Sequence, residues 1–289
     1  MLRYRAIQTP AERDNKKLIT RILDQTYKLK SGYSMPVLGL GTWELTGKTC
    51  EKIVNKALDL GYRHIDTAEL YRNENEIGKA IRNFDRSQLF ITSKVSSSNL
   101  RTYDLIEACK ASLGRLGTDY LDLYLIHWPN DAIGLEQTMK GMQKLVADGR
   151  VRRIGVSNFD VRRMEKAMSV SQQPICNNQV EYHPFRARRK IPEFCEKHGI
   201  SVTAYCPLAR GKVLKDAALQ RIAKKYGKTP AQISLLWLLE KGAIVIPKAG
   251  SQEHLKENID LDGCELSGED IEAINSLGPA RKLVDTTYT

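Results

Sequence analysis

The feature that most constrains this chain is a regular alternation of short β-type runs with longer helix-period stretches. The β-type runs are Val37–Leu40, Arg63–Asp66, Leu89–Ser93, Leu121–Ile126, Arg153–Val156, Ile175–Val180, Ser201–Ala204 and Ala243–Ile246. Helical stretches follow them near Cys50–Leu60, Glu76–Ile81, Tyr103–Leu116, Leu135–Ala147, Val161–Met168, Ile191–Lys197, Ala217–Tyr226 with Ala231–Glu240, and His254–Glu257. A last helix, Gly268–Ser276, opens with Ser267 and Asp270 in capping-box-like positions. Strands that alternate with helices build a parallel sheet with the helices outside. Eight units between Val37 and Ser276, at about 30 residues each, match the size of a (β/α)8 barrel. Residues 27–289 are read as that single domain. Residues 1–26 lack a buried-strand run and are rich in charge, so they are read as an N-terminal extension. Leu18, Ile19, Ile22 and Leu23 could form one face of a short helix there.

The rival architecture, a doubly wound sheet, usually announces a phosphate loop. Gly39-Leu40-Gly41 starts such a motif, but its sixth position is Glu44 instead of glycine. Gly47-Lys48-Thr49 and Gly227-Lys228-Thr229 end like P-loops, but Thr42 and Ile222 stand where the first glycine is needed. With 42% hydrophobic and 27% charged residues the chain can build a sizeable core, which excludes intrinsic disorder. No apolar run approaches the roughly 18–20 residues of a membrane span. The start, Met1-Leu2-Arg3-Tyr4-Arg5, lacks the apolar stretch of a secretory signal. Cysteines at 50, 109, 176, 195, 206 and 264 form no Cys-x-x-Cys pair and read as reduced thiols of a cytoplasmic protein. The net charge of +11 is spread along the chain apart from an N-terminal set and Arg186, Arg188, Arg189 and Lys190. No aromatic stretch interleaves with it, so a solvated basic surface or a small anionic ligand is expected, and no nucleic acid.

In such a barrel the functional residues sit at the C-terminal ends of the strands. Those ends carry Thr42-Trp43, Asp66, Lys94, His127, Ser157-Asn158, Gln179, Tyr205 and Lys248. Stability alone does not call for a polar or aromatic group on every strand end. Tyr71 follows Asp66 by five residues. A free tyrosine has a pKa near 10, and a neighbouring ammonium favours its phenolate and lowers that value. A carboxylate beside the lysine would keep it charged and oriented. Asp66, Lys94 and Tyr71 are therefore expected to form a tuned proton donor, with His127 able to donate a hydrogen bond to a carbonyl oxygen.

The run Gly61-Tyr62-Arg63-His64-Ile65-Asp66-Thr67-Ala68, with Tyr71 and Asn73-Glu74, resembles the signature of the aldo-keto reductase family. Leu125–Pro129, Ile154–Phe159, Asn178–Pro184, Ala204–Leu208 and Ile246–Lys248 continue the match in order, from about Tyr27 to the C-terminus. The resemblance implies a barrel that binds NADPH, with NADH as an alternative, and reduces small aldehydes and ketones. It implies Tyr71 as the general acid, Asp66 and Lys94 as the pair that tunes it, and His127 as the group that orients the carbonyl. Thr42, Ser157, Asn158 and Gln179 would meet the nicotinamide end of the cofactor, and Tyr205 would stack on its ring. Pro207, Leu208 and the loop after them would cover the pyrophosphate. Lys248, Ser251 and His254 would meet the 2′-phosphate, with Glu257 and Asn258 near the adenine. Trp43 and Trp128 would wall the substrate pocket. No metal is implied, and a monomer is expected.

Two departures qualify the resemblance. Ala249 and His254 stand where relatives often have serine and arginine, which predicts weaker discrimination against NADH. Cys206 replaces a common serine and puts a thiol near the cofactor. The segments after His127 and Leu208 are short, which predicts an open pocket with a broad substrate range. Three other roles use the same residues: a cofactor-binding regulatory subunit, a dehydrogenase running the reaction in reverse, and a nucleic-acid binder acting through residues 1–26.

Overall fold

The computed structural model describes residues 21–28, 32, 34–187, 190–278 and 283. Two short strands, β1 (Thr26–Lys28) and β2 (Ser34–Pro36), pair antiparallel as a hairpin ahead of the main sheet. The other strands are β3 (Leu40–Gly41), β4 (His64–Asp66), β5 (Phe90–Val95), β6 (Leu123–Ile126), β7 (Ile154–Ser157), β8 (Ile175–Glu181), β9 (Ser201–Tyr205) and β10 (Ile244–Val245). They form one eight-stranded parallel sheet in chain order. Helices α1 (Gly47–Asp59), α2 (Glu74–Ile81), α3 (Thr102–Leu116), α4 (Leu135–Ala147), α5 (Val161–Val170) and α6 (Lys190–Lys197) follow β3 to β8 in turn. Beyond β9 come α7 (Ala217–Tyr226) and α8 (Pro230–Glu240), and beyond β10 come α9 (Gln252–Ile259) and α10 (Gly268–Asn275).

The sheet closes on itself. Leu38 bridges Val245, and Gly41 bridges Lys248. The N–H groups of Gly39 and Gly41 donate to the carbonyls of Val245 (2.9 Å) and Pro247 (3.2 Å). Glycine is required at 41, because a Cβ there would lie 2.5 Å from the Ile246 carbonyl oxygen. The first strand is therefore Leu40–Gly41 instead of the expected Val37–Leu40, and the earlier residues serve the seam.

Side chains alternate along each strand, so every second residue enters the barrel. Ile91, Val95, Tyr124, Ile126, Val202 and Ala204 face the helices and belong to the main core. The inward set is layered. Met35, Phe90, Leu123, Leu125, Cys176 and Ile244 form a second cluster at the N-terminal end, against which Tyr27 of the hairpin packs. Above it is a polar layer. There His64 meets Thr92 Oγ1 (3.2 Å), and Asn177 donates to Ser201 and Thr203 (both 2.8 Å). Burial pulls the His64 pKa down to about 4, so this histidine is neutral core. The layer above carries the candidate site.

Part of the expected extension lies on the barrel. Ile22 is buried, and its N–H donates to Asp262 Oδ1 (2.7 Å). Residues 1–20, including Leu18 and Ile19, lie outside the described residues. Among the described residues no helix is long and apolar enough to cross a membrane.

Candidate active site

Inward alternation delivers Asp66 from β4 and Lys94 from β5 to the same level, one layer above His64 and Thr92. The Lys94 ammonium donates to Asp66 Oδ1 (2.5 Å) and to the Thr67 carbonyl (2.8 Å), and it reaches the Tyr71 hydroxyl at 3.5 Å. Gln179 of β8 donates to the other Asp66 oxygen (2.7 Å). Both carboxylate oxygens are thereby satisfied although the pair is almost fully buried. Tyr71 rides on a short 3-10 turn, Glu69–Tyr71, that ends at Arg72 in the left-handed region (φ 53°). Asn73 secures the far side of this turn through Thr67 Oγ1 (2.8 Å) and the carbonyls of Thr42 (2.8 Å) and Leu45 (3.0 Å). The phenol ring meets Trp43 and His127 edge-on, with centroids 4.9 and 5.6 Å away.

The electrostatics differ from the expectation of a tyrosine lowered by its lysine. Burial, followed by the Asp66 charge, raises the Tyr71 pKa well above 10. The ammonium is largely cancelled by the carboxylate at 2.5 Å, so the phenol responds mainly to lost hydration. Burial also pulls the Lys94 pKa below its usual value, against the pull of Asp66. The phenol therefore holds its proton at neutral pH, as a proton donor must. His127 is held well below 6.5 by burial and then by Lys94, so its imidazole is neutral. Its Nδ1 is buried without a partner, which leaves Nε2 as the nitrogen open to the cleft.

These groups border a cleft of about 690 Å3 at the C-terminal face of the barrel. Of the expected residues, Thr42, Trp43, Asp66, Tyr71, His127, Trp128, Ser157, Asn158, Gln179, Tyr205, Pro207, Leu208 and Lys248 line it. Lys94 lies behind this wall. On one side Asn158 takes a left-handed conformation (φ 64°). Its amide donates to the His127 carbonyl (3.1 Å) and Ser157 Oγ (3.0 Å), while its oxygen accepts from the Tyr205 hydroxyl (2.8 Å). The Tyr205 ring is thus pinned at its tip. Lys248 lines the cleft next to the N-terminus of α9, which Ser251 caps by accepting from the His254 N–H.

Ser251 at the cap of α9, and His254, Glu257 and Asn258 on it, lie outside the cleft lining. Glu257 accepts from Thr229 Oγ1 (2.6 Å), Asn258 is buried, and His254 is exposed. Ala249 faces the core. Cys206 lines the cleft, but burial raises its pKa, which opposes the reactive thiolate form. Sequence reading missed Glu44, Leu70 and Ile246, which also line the cleft, while Arg210 lines it from the loop expected over the pyrophosphate. Glu44 and Arg210 adopt φ of 62° and 51°. Nothing in their residue types announces such a backbone; the only available sign was adjacency to Thr42-Trp43 and Pro207-Leu208.

The donor set fits a nicotinamide dinucleotide. A pinned aromatic ring and amide and hydroxyl groups stand at one side of the cleft. The cation and a capped helix N-terminus suit a phosphate. Among the described residues no cluster of His, Cys, Asp and Glu could hold a metal ion. The fold and the site together define a class of protein, a barrel oxidoreductase acting on carbonyl groups with a nicotinamide cofactor.

Comparison with known proteins makes this specific. Residues 37–279 match the Aldo/keto reductase family, and the chain belongs to it. The chain is 41% identical over 256 residues to methylglyoxal reductase DkgB of Escherichia coli O157:H7, covering 87% of this chain and 96% of that protein. It is 39% identical over 258 residues to the glyoxal reductase of Bacillus subtilis, covering 88% and 93%. The solved structure of a Bombyx mori aldo-keto reductase in complex with NADP superposes with a TM-score of 0.85 at 33% identity, covering 91% and 95%. The chain is thus an NADPH-dependent oxidoreductase built on a (β/α)8 barrel.

Proposed function

We propose that this enzyme reduces small aldehydes and dicarbonyls to alcohols, with Tyr71 donating the proton. The observation that carries this reading is the Tyr71 hydroxyl at the cleft wall, 3.5 Å from the Lys94 ammonium. NADPH, when bound, supplies the hydride. Ser157, Asn158 and Gln179 would hold its carboxamide, and Tyr205 would set its ring plane. Pro207 and Leu208 would cover its pyrophosphate. Lys248, Ser251 and His254 would meet its 2′-phosphate, and Glu257 and Asn258 would lie toward its adenine.

The protein's own part is positional and electrostatic. The Nε2 of neutral His127 hydrogen-bonds the substrate carbonyl oxygen and aims it at the Tyr71 hydroxyl. As negative charge develops on that oxygen, the phenol proton moves to it. Lys94 then faces the phenolate left behind, so its ammonium stabilises the charge that appears only during reaction. Asp66 and Gln179 hold that ammonium in place. Trp43, Trp128 and Leu70 supply large apolar walls, which suits a broad range of small carbonyls. The relatives named for methylglyoxal and glyoxal reduction support dicarbonyls as the substrate class.

Six free cysteines, four of them buried, support a reducing, cytoplasmic setting. The test is Tyr71→Phe, followed by NADPH absorbance with methylglyoxal and by intrinsic fluorescence for cofactor binding. The expected result is a loss of at least about 100-fold in turnover, the scale of a general acid, with NADPH affinity unchanged. Wild-type turnover in the variant removes Tyr71 from the mechanism.

A further inference from the structure

The turn that presents Tyr71 is gripped at both ends. Asn73 holds the end after the tyrosine. The end before it is held by Glu69, whose Oε1 accepts from the Ser96 N–H (2.5 Å) and from Asn99 Nδ2 (3.1 Å). Ser96 and Asn99 belong to the loop that follows β5, and Ser96 lies two residues beyond Lys94. That loop is tied in turn to the next one, because Asn130 Nδ2 donates to the Ser97 carbonyl (2.9 Å). Asn130 lies two residues beyond Trp128. One run of hydrogen bonds thus links the segments that carry Tyr71, Lys94 and His127-Trp128.

Glu69 is an expensive choice for this place. Burial raises its carboxyl pKa, and among the described residues no lysine or arginine comes within ion-pair distance of it. Glu69 is partly buried, and Arg115 offsets only a little of that burial at longer range, so its hydrogen bonds must make up the remaining loss of hydration. Here both donors are aimed at one oxygen, and the Ser96 bond is charge-assisted and short. The Tyr71 hydroxyl is otherwise loosely held. Its lysine contact is 3.5 Å, and its ring is held only by T-shaped contacts with Trp43 and His127 and by the Lys94 ammonium 4.9 Å over its centroid. The left-handed Arg72 beside it adds backbone strain that the flanking contacts must hold.

We propose that Glu69 is a positioning residue for proton transfer, clamping the Tyr71 turn to the loop behind Lys94 so that the phenol keeps its distance from the ammonium. This rests on Tyr71 being the proton donor. Glu69 does not line the cleft, so it acts through the tyrosine.

The clamp can be cut from either side. Glu69→Ala removes the acceptor. Glu69→Gln keeps an amide oxygen for the same donors. Ser96→Pro removes the donor N–H at a residue whose φ of −62° suits proline, and Ser96→Ala keeps the N–H as a control. Displacing a reacting group by a fraction of an ångström to 1 Å predicts a roughly 10- to 100-fold fall in kcat for Glu69→Ala and Ser96→Pro. The KM for methylglyoxal should stay within about twofold, since ground-state binding is untouched. The double variant should be no worse than Glu69→Ala, because that substitution already removes the Ser96 bond together with the Asn99 one. Glu69→Gln and Ser96→Ala should retain most of the wild-type rate.

Two readouts separate positioning from mere loss of folded enzyme. With NADPH deuterated at the transferred position, the isotope effect on kcat should rise in Glu69→Ala as chemistry becomes limiting; a smaller active fraction leaves it unchanged. In the cofactor-free protein, amide exchange at Ser96 should accelerate in Glu69→Ala and stay slow in Glu69→Gln. If Glu69→Ala keeps wild-type kcat while Tyr71→Phe is inactive, the clamp is refuted and the proton donor stands. If Tyr71→Phe itself is active, the premise fails first. Independent, multiplying losses in the double variant also overturn the clamp.

Discussion

Replacing Lys94 by methionine should cost far more stability than the loss of one surface charge. The ammonium is fully buried, and the Asp66 side chain is 2% exposed. Methionine fills much of the lysine's volume but leaves Asp66 Oδ1 against a thioether, with only Oδ2 still paired to Gln179. Breaking a buried pair by removing one partner typically costs about 3–5 kcal/mol, because the remaining charge is stranded. At the roughly 2–4 °C per kcal/mol of a domain this size, the melting temperature should fall by about 6–20 °C. Adding Asp66→Asn to Lys94→Met removes the stranded charge and leaves a neutral amide that can still meet Gln179. The double variant should therefore recover most of the lost stability, to within about 2 kcal/mol of wild type. Neither variant should turn over methylglyoxal. Urea unfolding followed by tryptophan fluorescence measures the stability, and NADPH absorbance measures the activity. The reasoning fails if Lys94→Met lies within about 1 kcal/mol of wild type, the value of an exposed pair. It fails equally if the double variant is no more stable than the single.

The remaining predictions test other parts of the barrel. His64 has its pKa pulled from 6.5 to about 4, so the unfolded chain takes up a proton that the folded one refuses. Its contribution should therefore fall away as pH drops from 6.5 toward 4, by about 3 kcal/mol at roughly 1.4 kcal/mol per unit. His64→Gln should flatten that part of the stability–pH curve, and an unchanged slope rejects the assignment. Gly41→Ala puts a methyl group 2.5 Å from the Ile246 carbonyl at the barrel seam and should lose about 1–3 kcal/mol in urea unfolding; a neutral result shows that the seam can part cheaply. Lys248→Ala should weaken NADPH binding about tenfold, the scale of one lost charge-assisted contact, and NADH binding much less. Equal weakening of both cofactors, read by fluorescence titration, places Lys248 away from the 2′-phosphate.

The barrel was legible because its signal is repeated. Leu135–Ala147 was expected as a helix and is α4 to the residue, and β8 and β9 depart from expectation by a single residue at the C-terminal end. What sequence could not show is closure. The β1–β2 hairpin has only three residues in each strand, too few for a period to register. Its place depends on Met35 and Tyr27 finding Phe90, Leu123 and Leu125, which lie far along the chain. The first barrel strand was misplaced for the same reason. Its hydrogen bonds at Gly39 and Gly41 run to residues around Pro247, and a local pattern contains no sign of that partner.

The site divides along a similar line. Strand ends give the identities of Asp66, Lys94, His127 and Gln179, because alternation tells which residues face inward. They do not give the charge state. Gln179 reaches Asp66 across the barrel, 113 residues away in the chain. That contact, with Lys94 on the other oxygen, closes a network that leaves little net positive charge for Tyr71 to feel. Burial then dominates, and the phenol rises where a pairwise view of lysine beside tyrosine expects it to fall. The distinction has a mechanistic consequence. A tyrosine acidified below neutrality in the resting site would lie mostly as phenolate and have no proton to give. One kept neutral by burial, with an ammonium 3.5 Å away, is charged only after its proton has gone. The site favours that charge at the moment of transfer, and the carboxylate that holds the lysine also keeps it from removing the proton too early.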